Sequence, residues 1–230
     1  NYLTYGFNKK SNYQIINANY QLTSSSFDLK IQTYGSKKKI IKNIVLNLIG
    51  KHNILNATAA IAVCLNLGVK EIDLKKALKN FSGVQRRLTK IFLKKGREFY
   101  DDYAHHPTEI KAVLSGLKRV YKKRKLISVF QPHRYSRVTN LKKEFSSSFV
   151  MSDLVILCPI YAAGEKKDLK YNQENFAKLI AKNSNTQVII VQNEIELRKY
   201  LKKNLISNEI ILGMGAGTIS KWMKELKNFL

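Results

Sequence analysis

The chain has 230 residues, 44% of them hydrophobic, with 41 Lys and Arg against 16 Asp and Glu for a formal charge of +25. That length fits one large domain or two small ones, and the apolar fraction with only 3 Pro excludes a disordered chain. Its two cysteines, Cys64 and Cys158, lie far apart, which excludes a disulfide framework or a Cys-rich zinc site and suits a reducing compartment.

The first part of the chain reads as strands. Residues 13–20 and 25–32 carry β-formers in partial alternation, and 44–48 form an apolar strand. Gly50 then breaks the chain. Residues 54–67 turn helical, rich in Ala and Leu, and stop at Gly68. A second helix is expected over about 74–80, with Asp73 as its N-cap. The stretch 81–87 holds turn residues with Arg86 and Arg87, and it reads as the boundary between a domain over 1–84 and another over 85–230.

Beyond it strand and helix alternate. Short strands at 91–93 and 98–100 flank a turn. Helix 108–121, strand 126–130, helix 141–149, strand 154–157, helix 173–182, strand 187–191, helix 194–202, strand 210–212 and a closing helix 219–229 follow. Four βα units at that spacing predict an α/β domain with a mostly parallel, doubly wound sheet, whose ligands sit beyond the C-terminal strand ends. No apolar run reaches the roughly 20 residues of a membrane-spanning helix. The start lacks the basic and apolar regions of a signal peptide. Asn1 in place of an initiator Met reads as a piece of a longer chain.

Four polar clusters fall at strand–helix junctions. In Gly50-Lys-His52-Asn53-Ile-Leu-Asn56, Asn53 is favoured as a helix cap, whereas Asn56, one turn on, is not a cap. An Asn amide can pair with the donor and acceptor of an adenine edge. Tyr100-Asp101-Asp102-Tyr103-Ala-His105-His106-Pro107-Thr108-Glu109 is too rich in titratable groups for a solvated turn. Helix initiation accounts for Pro107, Thr108 and Glu109. It leaves Asp101, Asp102, His105 and His106 for ribose hydroxyls, anion contact or proton transfer. A metal is disfavoured because adjacent histidines rarely ligate one ion together.

In Gln131-Pro132-His133-Arg134-Tyr135-Ser136-Arg137, two arginines three apart share a face if the turn is helical, as a clamp for carboxylate or phosphate or as a surface pair bridging to acids. Gly213-Met214-Gly215-Ala216-Gly217 either lets backbone approach a ligand or turns tightly into the last helix, and is not read as a dinucleotide site. The charge itself divides. The 33 Lys are spread in short runs and read as a solvated surface, while four of only 8 Arg sit at 86, 87, 134 and 137. No nucleic-acid-binding pattern accompanies the lysines, although a Lys-rich nucleic-acid module is the alternative from a different class.

Taken in order, GKHNILNATAAIAVCLNLGV, FSGVQRRL, YDDYAHHPTEI, VFQPHRYSR, YAAGE and MGAG resemble the Mur ligases, and the third and fourth stretches resemble the alanine-adding branch. The resemblance implies the end of a P-loop-type α/β ATPase domain followed by a whole Rossmann-like C-terminal domain. The UDP-sugar domain, the P-loop and the Mg²⁺ ligands would lie in missing N-terminal domains acting in cis, so the piece alone is expected to be inactive. It also implies a cytoplasmic ligase of peptidoglycan precursor synthesis that uses ATP and Mg²⁺ to join L-alanine to UDP-N-acetylmuramate through an acyl phosphate. No nucleic-acid or membrane partner is expected.

By the same resemblance Asn56 binds adenine, with His52 and Asn53 beside it. Arg86 or Arg87 reaches the ATP phosphates, and Asp101 or Asp102 binds the ribose. Tyr103, His105, Arg134 and Arg137, with His133 nearby, form the pocket for alanine and the acyl carboxylate. A ligase of the same family that attaches a preformed peptide is the closest rival reading.

Overall fold

The computed structural model describes residues 2–21, 23–33, 35, 37–81, 83 and 86–230. The expected domain boundary at 84/85 falls on residues outside this set. The chain divides into two compact units, residues 1–83 and 84–230.

In the first unit β1 (Tyr5–Gly6), β2 (Tyr13–Tyr20), β3 (Ser25–Ile31) and β4 (Lys39–Leu46) form one sheet in chain order. Only β1 and β2 run parallel; the other neighbours are antiparallel. Helices α1 (Lys51–Asn66) and α2 (Glu71–Asn80) follow. Ile54, Ala57 and Ile61 of α1 and Leu74 of α2 share a core with Tyr13, Ile15, Phe27, Leu29, Ile41, Ile44 and Leu46.

Two register shifts shape this sheet, one opposite Asp28 on each side. Asn17 and Asn43 take left-handed backbone there, at φ 52° and 55°. The Asn17 side-chain amide and the Asn43 backbone N–H each donate to Asp28, at 2.8 Å. One carboxylate on the middle strand thus holds both bulges. The bulge at Asn43 also explains why β4 begins at Lys39 rather than at the expected 44. Ile41 and Ile44 both point inward although three apart, which a period-two reading splits.

Two expected caps are corrected. Helix α1 starts at Lys51 with Gly50 (φ 104°) as its N-cap and no side-chain cap, so Asn53 lies inside the first turn. Its side chain donates to the Ile49 carbonyl instead, at 2.8 Å. Helix α2 starts at Glu71 after Lys70, which places Asp73 in the first turn, where its charge favours the helix dipole without capping.

The second unit contains β5 (Thr89–Lys94), β6 (Arg97–Asp102), α3 (Pro107–Val120), β7 (Leu126–Phe130), α4 (Tyr135–Asn140), α5 (Lys142–Ser146), β8 (Leu154–Leu157), α6 (Gln173–Ser184), β9 (Gln187–Ile190), α7 (Glu194–Asn204), β10 (Ile210–Met214) and α8 (Ile219–Glu225). The single helix expected over 141–149 is instead the pair α4 and α5, and the closing helix stops at Glu225 before a 3-10 turn.

Strand order is β5-β6-β10-β7-β8-β9, parallel except for β5 against β6. The central strands are apolar on both faces, as a doubly covered sheet requires. On one face Leu126 and Phe130 of β7 join Ile110, Leu114 and Leu117 of α3 and Phe176 of α6. On the other, Ile127 and Val129 join Leu197 and Leu201 of α7 and Ile219 and Met223 of α8.

The Asp28 hydrogen bonds hold its carboxyl below the ordinary carboxylate range, led by the Asn17 and Asn43 contacts. A group whose folded pKa is depressed stabilises above its unfolded pKa and loses that contribution as pH falls through the folded value. Replacing Asp28 with Ala should therefore cost about 1–2 kcal/mol at neutral pH, the worth of two such bonds. Urea denaturation should show that difference shrinking toward pH 3; a constant gap would contradict the assignment.

Candidate active site

The strand order places the C-terminal ends of β6, β10, β7 and β8 side by side, because β10 enters between β6 and β7 after the chain has already built β8 and β9. This is the reversal point at which open α/β sheets bind ligands. Residues 103–109, 215–217, 131–137 and 158–165 leave the sheet there, and three of the four clusters of the sequence lie at these exits.

After β6 the chain is anchored by buried acids. Asp102 accepts the backbone N–H of Leu88 and of Ala104, each at 2.7 Å, which ties residues 86–88 to this loop. Burial pushes its pKa up to about 6, against the downward pull of those two donors and of Arg87. Asp101 is 1% exposed and accepts from the Ser220 hydroxyl, while its Oδ1 has no hydrogen-bond partner. Neither acid offers an accessible oxygen to a ribose: one is spent on backbone, and the other is enclosed.

The two arginines at the start of the unit separate. Arg86 turns inward at φ 61°, donates to the Gly215 carbonyl at 2.6 Å, lies over the Tyr103 ring at 4.6 Å, and sits 4.0 Å from Asp101. Arg87 is exposed, with Glu109 at 4.0 Å. Of the pair, Arg86 is committed to the fold and Arg87 keeps its guanidinium at the surface.

The two adjacent histidines also separate. His106 is the N-cap of α3, its ring accepting from the Thr108 N–H at 3.3 Å, so helix initiation accounts for it after all. Glu109 completes the cap by accepting the N–H groups of His105 and His106. His105 carries Nδ1 at 2.9 Å from the Tyr103 carbonyl and 3.3 Å from Glu109.

From β7 the chain supplies His133, Arg134 and Arg137. His133 bridges to Tyr161 in the loop after β8, and the two rings stack with centroids 5.7 Å apart. Arg137 lies on the first turn of α4 and donates to His133 Nδ1 at 3.1 Å. Burial, and then the charge of Arg137, lowers the His133 pKa. Arg134 precedes α4 at φ 68°, its N–H donating to the Tyr161 carbonyl at 2.9 Å and its side chain exposed. The expected clamp is therefore two unlike arms, one held against an imidazole and one free.

Tyr103, His105, His133 and Tyr161 form a continuous row of rings: Tyr103 meets His105 at 5.0 Å and His105 meets His133 at 5.7 Å, both edge to face. Four groups in this frame were not singled out as functional from the sequence. Tyr161 completes the row. Glu165 takes the Ser136 N–H and hydroxyl at the start of α4. Gln131, buried, accepts the Ile219 N–H and donates to the Thr218 hydroxyl, each at 3.0 Å. Ser220 lies 119 residues from Asp101, and no local pattern announces that contact.

The glycines resolve as packing. A Cβ on Gly215 would stand 2.7 Å from the Gln131 carbonyl, and one on Gly217 would stand 2.5 Å from both Gln131 Oε1 and Tyr161 Cγ. In the other unit, His52 is partly buried, Asn53 is buried, and Asn56 is exposed on α1. Among the described residues no group of three or more His, Cys, Asp or Glu is placed to hold a metal ion.

Gly217→Ala should destabilise the second unit by about 1–3 kcal/mol through overpacking, read by chemical denaturation. The Asp102 carboxyl should titrate near pH 6 in carbon-detected NMR. Its folded pKa lies above the ordinary 3.8, so the folded state holds this proton more tightly. Its contribution to stability then falls as pH rises from about 4 to about 6. A midpoint near 4 would contradict the burial argument.

Residues 86–217 match the family described as Mur ligase, glutamate ligase domain, and residues 1–64 match the Mur ligase middle domain. The UDP-N-acetylmuramate–L-alanine ligase of Pelagibacter ubique is 50% identical over the whole chain, which covers 50% of that relative. The enzyme of the same name from Ruthia magnifica is 40% identical over 94% of the chain and 46% of its own length. The crystal structure of UDP-N-acetylmuramate-alanine ligase from Thermotoga maritima matches 98% of this chain and 47% of its own, with a TM-score of 0.78 and 25% identity. The chain spans about half the length of the curated relatives it matches. With one family signature covering more than half of its residues and a second covering most of the first unit, the chain belongs to the Mur ligase family.

Proposed function

We propose that this chain serves ATP-dependent amide-bond formation in peptidoglycan precursor synthesis, joining L-alanine to the lactyl carboxylate of UDP-N-acetylmuramate. The observation that carries the reading is the meeting of His105, His133, Arg137 and Tyr161 at adjacent strand ends. It is supported by the 50% identity with a relative named for that reaction. The soluble cytoplasm fits a substrate of this kind, and no helix among the described residues is long and apolar enough to cross a membrane.

ATP would supply the γ-phosphoryl that turns the lactyl carboxylate into an acyl phosphate, with Mg²⁺ as its counter-ion. Among the described residues no group of three or more His, Cys, Asp or Glu is placed to hold that ion. The chain does offer nucleotide contacts. Asn56 presents an exposed amide suited to an adenine edge, and Arg87 an exposed guanidinium suited to phosphate. No P-loop sequence occurs in the 230 residues.

Arg134 and Arg137 take the amino-acid end. Arg137 spends one N–H on His133 and keeps its other donors, while the exposed Arg134 guanidinium is free to fork onto a carboxylate. Fixed donors beside the reacting carbonyl also suit the oxyanion of the tetrahedral intermediate.

Residues 1–230, exchanged for the matching half of the Pelagibacter ubique relative, should give phosphate release that requires both L-alanine and UDP-N-acetylmuramate. Release with a preformed peptide but not with alanine would favour the peptide-attaching rival. In the active chimera, Arg134→Ala should raise the KM for alanine about tenfold or more, since a charge-assisted hydrogen bond is worth roughly 1.5–3 kcal/mol. Unchanged alanine kinetics would move the carboxylate site elsewhere.

A further inference from the structure

The row of rings contains two imidazoles whose Nδ1 atoms face opposite chemistry. Around His105 Nδ1 stand the Tyr103 carbonyl at 2.9 Å and the Glu109 carboxylate at 3.3 Å, both of which can only accept. That nitrogen must carry the proton, so the neutral ring leaves Nε2 bare. Around His133 Nδ1 stands Arg137 at 3.1 Å, and a guanidinium can only donate. That nitrogen must be the acceptor, so the neutral ring carries its proton on Nε2. Burial and the Arg137 charge lower the His133 pKa, which favours the neutral ring. The rings meet edge to face, 5.7 Å between centroids.

We infer that Glu109 and Arg137 are positioning residues that set His105 and His133 in opposite tautomers, so that one imidazole takes a proton from the incoming amine while its neighbour offers one hydrogen bond to the reacting carboxyl group. The inference rests on the proposed ligation and gives its two histidines separate tasks. The ammonium of the amino acid passes one proton to His105 Nε2. The freed lone pair forms the C–N bond to the acyl carbon, and the C–O bond to phosphate breaks with its electron pair going to phosphate. The second amine proton leaves with that phosphate. His133 Nε2–H donates to the carbonyl oxygen as it gains charge. Glu109 is suited to this because the same carboxylate closes the α3 cap through the His105 and His106 N–H groups, so the helix start holds it in place.

The chain has four histidines, and long-range proton–nitrogen NMR of the ¹⁵N-labelled 230-residue protein reads their tautomers directly. His105 should show a protonated Nδ1 and a bare Nε2, and His133 the reverse. Glu109→Ala should move His105 toward the Nε2–H form, and Glu109→Gln, which keeps an acceptor oxygen and the cap, should restore it. The same tautomer in both rings, or a His105 signal indifferent to Glu109→Ala, overturns the inference. In the active chimera Glu109→Ala should lower kcat on the order of tenfold to a hundredfold, and Glu109→Gln should recover most of it. Equal losses in both variants would mean that the carboxylate charge and not an acceptor oxygen is what matters, and would overturn the positioning role. A chimera without ligase activity would instead defeat the proposed function, while the NMR result would still decide the tautomers.

Discussion

β10 runs between β6 and β7, and the loop that leaves it has no room for a side chain at Gly215 or Gly217. Gly215 comes so near the Gln131 carbonyl that a single added carbon would overlap it, and Gly217 is closed in by Gln131 and Tyr161. That close approach brings the loops after β6, β7 and β8 onto one another. Gln131 exploits it by reaching Thr218 and Ile219 at the start of α8, and Arg86 by donating to the Gly215 carbonyl. Tyr103, His105, His133 and Tyr161 stand on these loops, so the row of rings depends on how tightly β10 is seated.

The polar groups behind the site are buried and the ones in front are not. Asp101, Asp102 and Arg86 are enclosed or partly enclosed and hold backbone in place, at a desolvation cost visible in the raised pKa of Asp102. Arg87 and Arg134 stay exposed. The division explains why paired residues of one type do different work. Arg86 turns in over Tyr103 while Arg87 turns out, and His105 joins the row of rings while His106 caps α3, whereas Asp101 and Asp102 are both buried and differ in their partners.

The charge of the chain follows the same division. Most of its positive excess is Lys distributed over the surface, and a compact set of Arg does the local work. Arg86 braces, Arg137 orients an imidazole, and Arg87 and Arg134 remain available to anions. A guanidinium can serve each purpose because its five donors lie in a rigid plane, so one edge can be committed while another stays free. The first unit uses a carboxylate comparably, with Asp28 taking a separate donor on each oxygen.

The sequence by itself determined the α/β class, the alternation of strands and helices in the second unit, and the placement of polar clusters at strand ends. Hydrophobic period and local breakers are short-range signals, and they survive without knowledge of the partners. It did not determine where β4 begins, because a bulge resets the alternation at Asn43, nor that Gly50 rather than Asn53 would precede α1. It offered Asp101 and Asp102, His105 and His106, and Arg86 and Arg87 as indistinguishable pairs. Only tertiary structure separated them, by enclosing one oxygen, assigning one ring to a helix cap and folding one guanidinium over Tyr103. Those outcomes rest on contacts such as Asp101 with Ser220 and Arg86 with Gly215, more than 100 residues apart along the chain. No local pattern encodes such a contact; the order of strands in the sheet creates it.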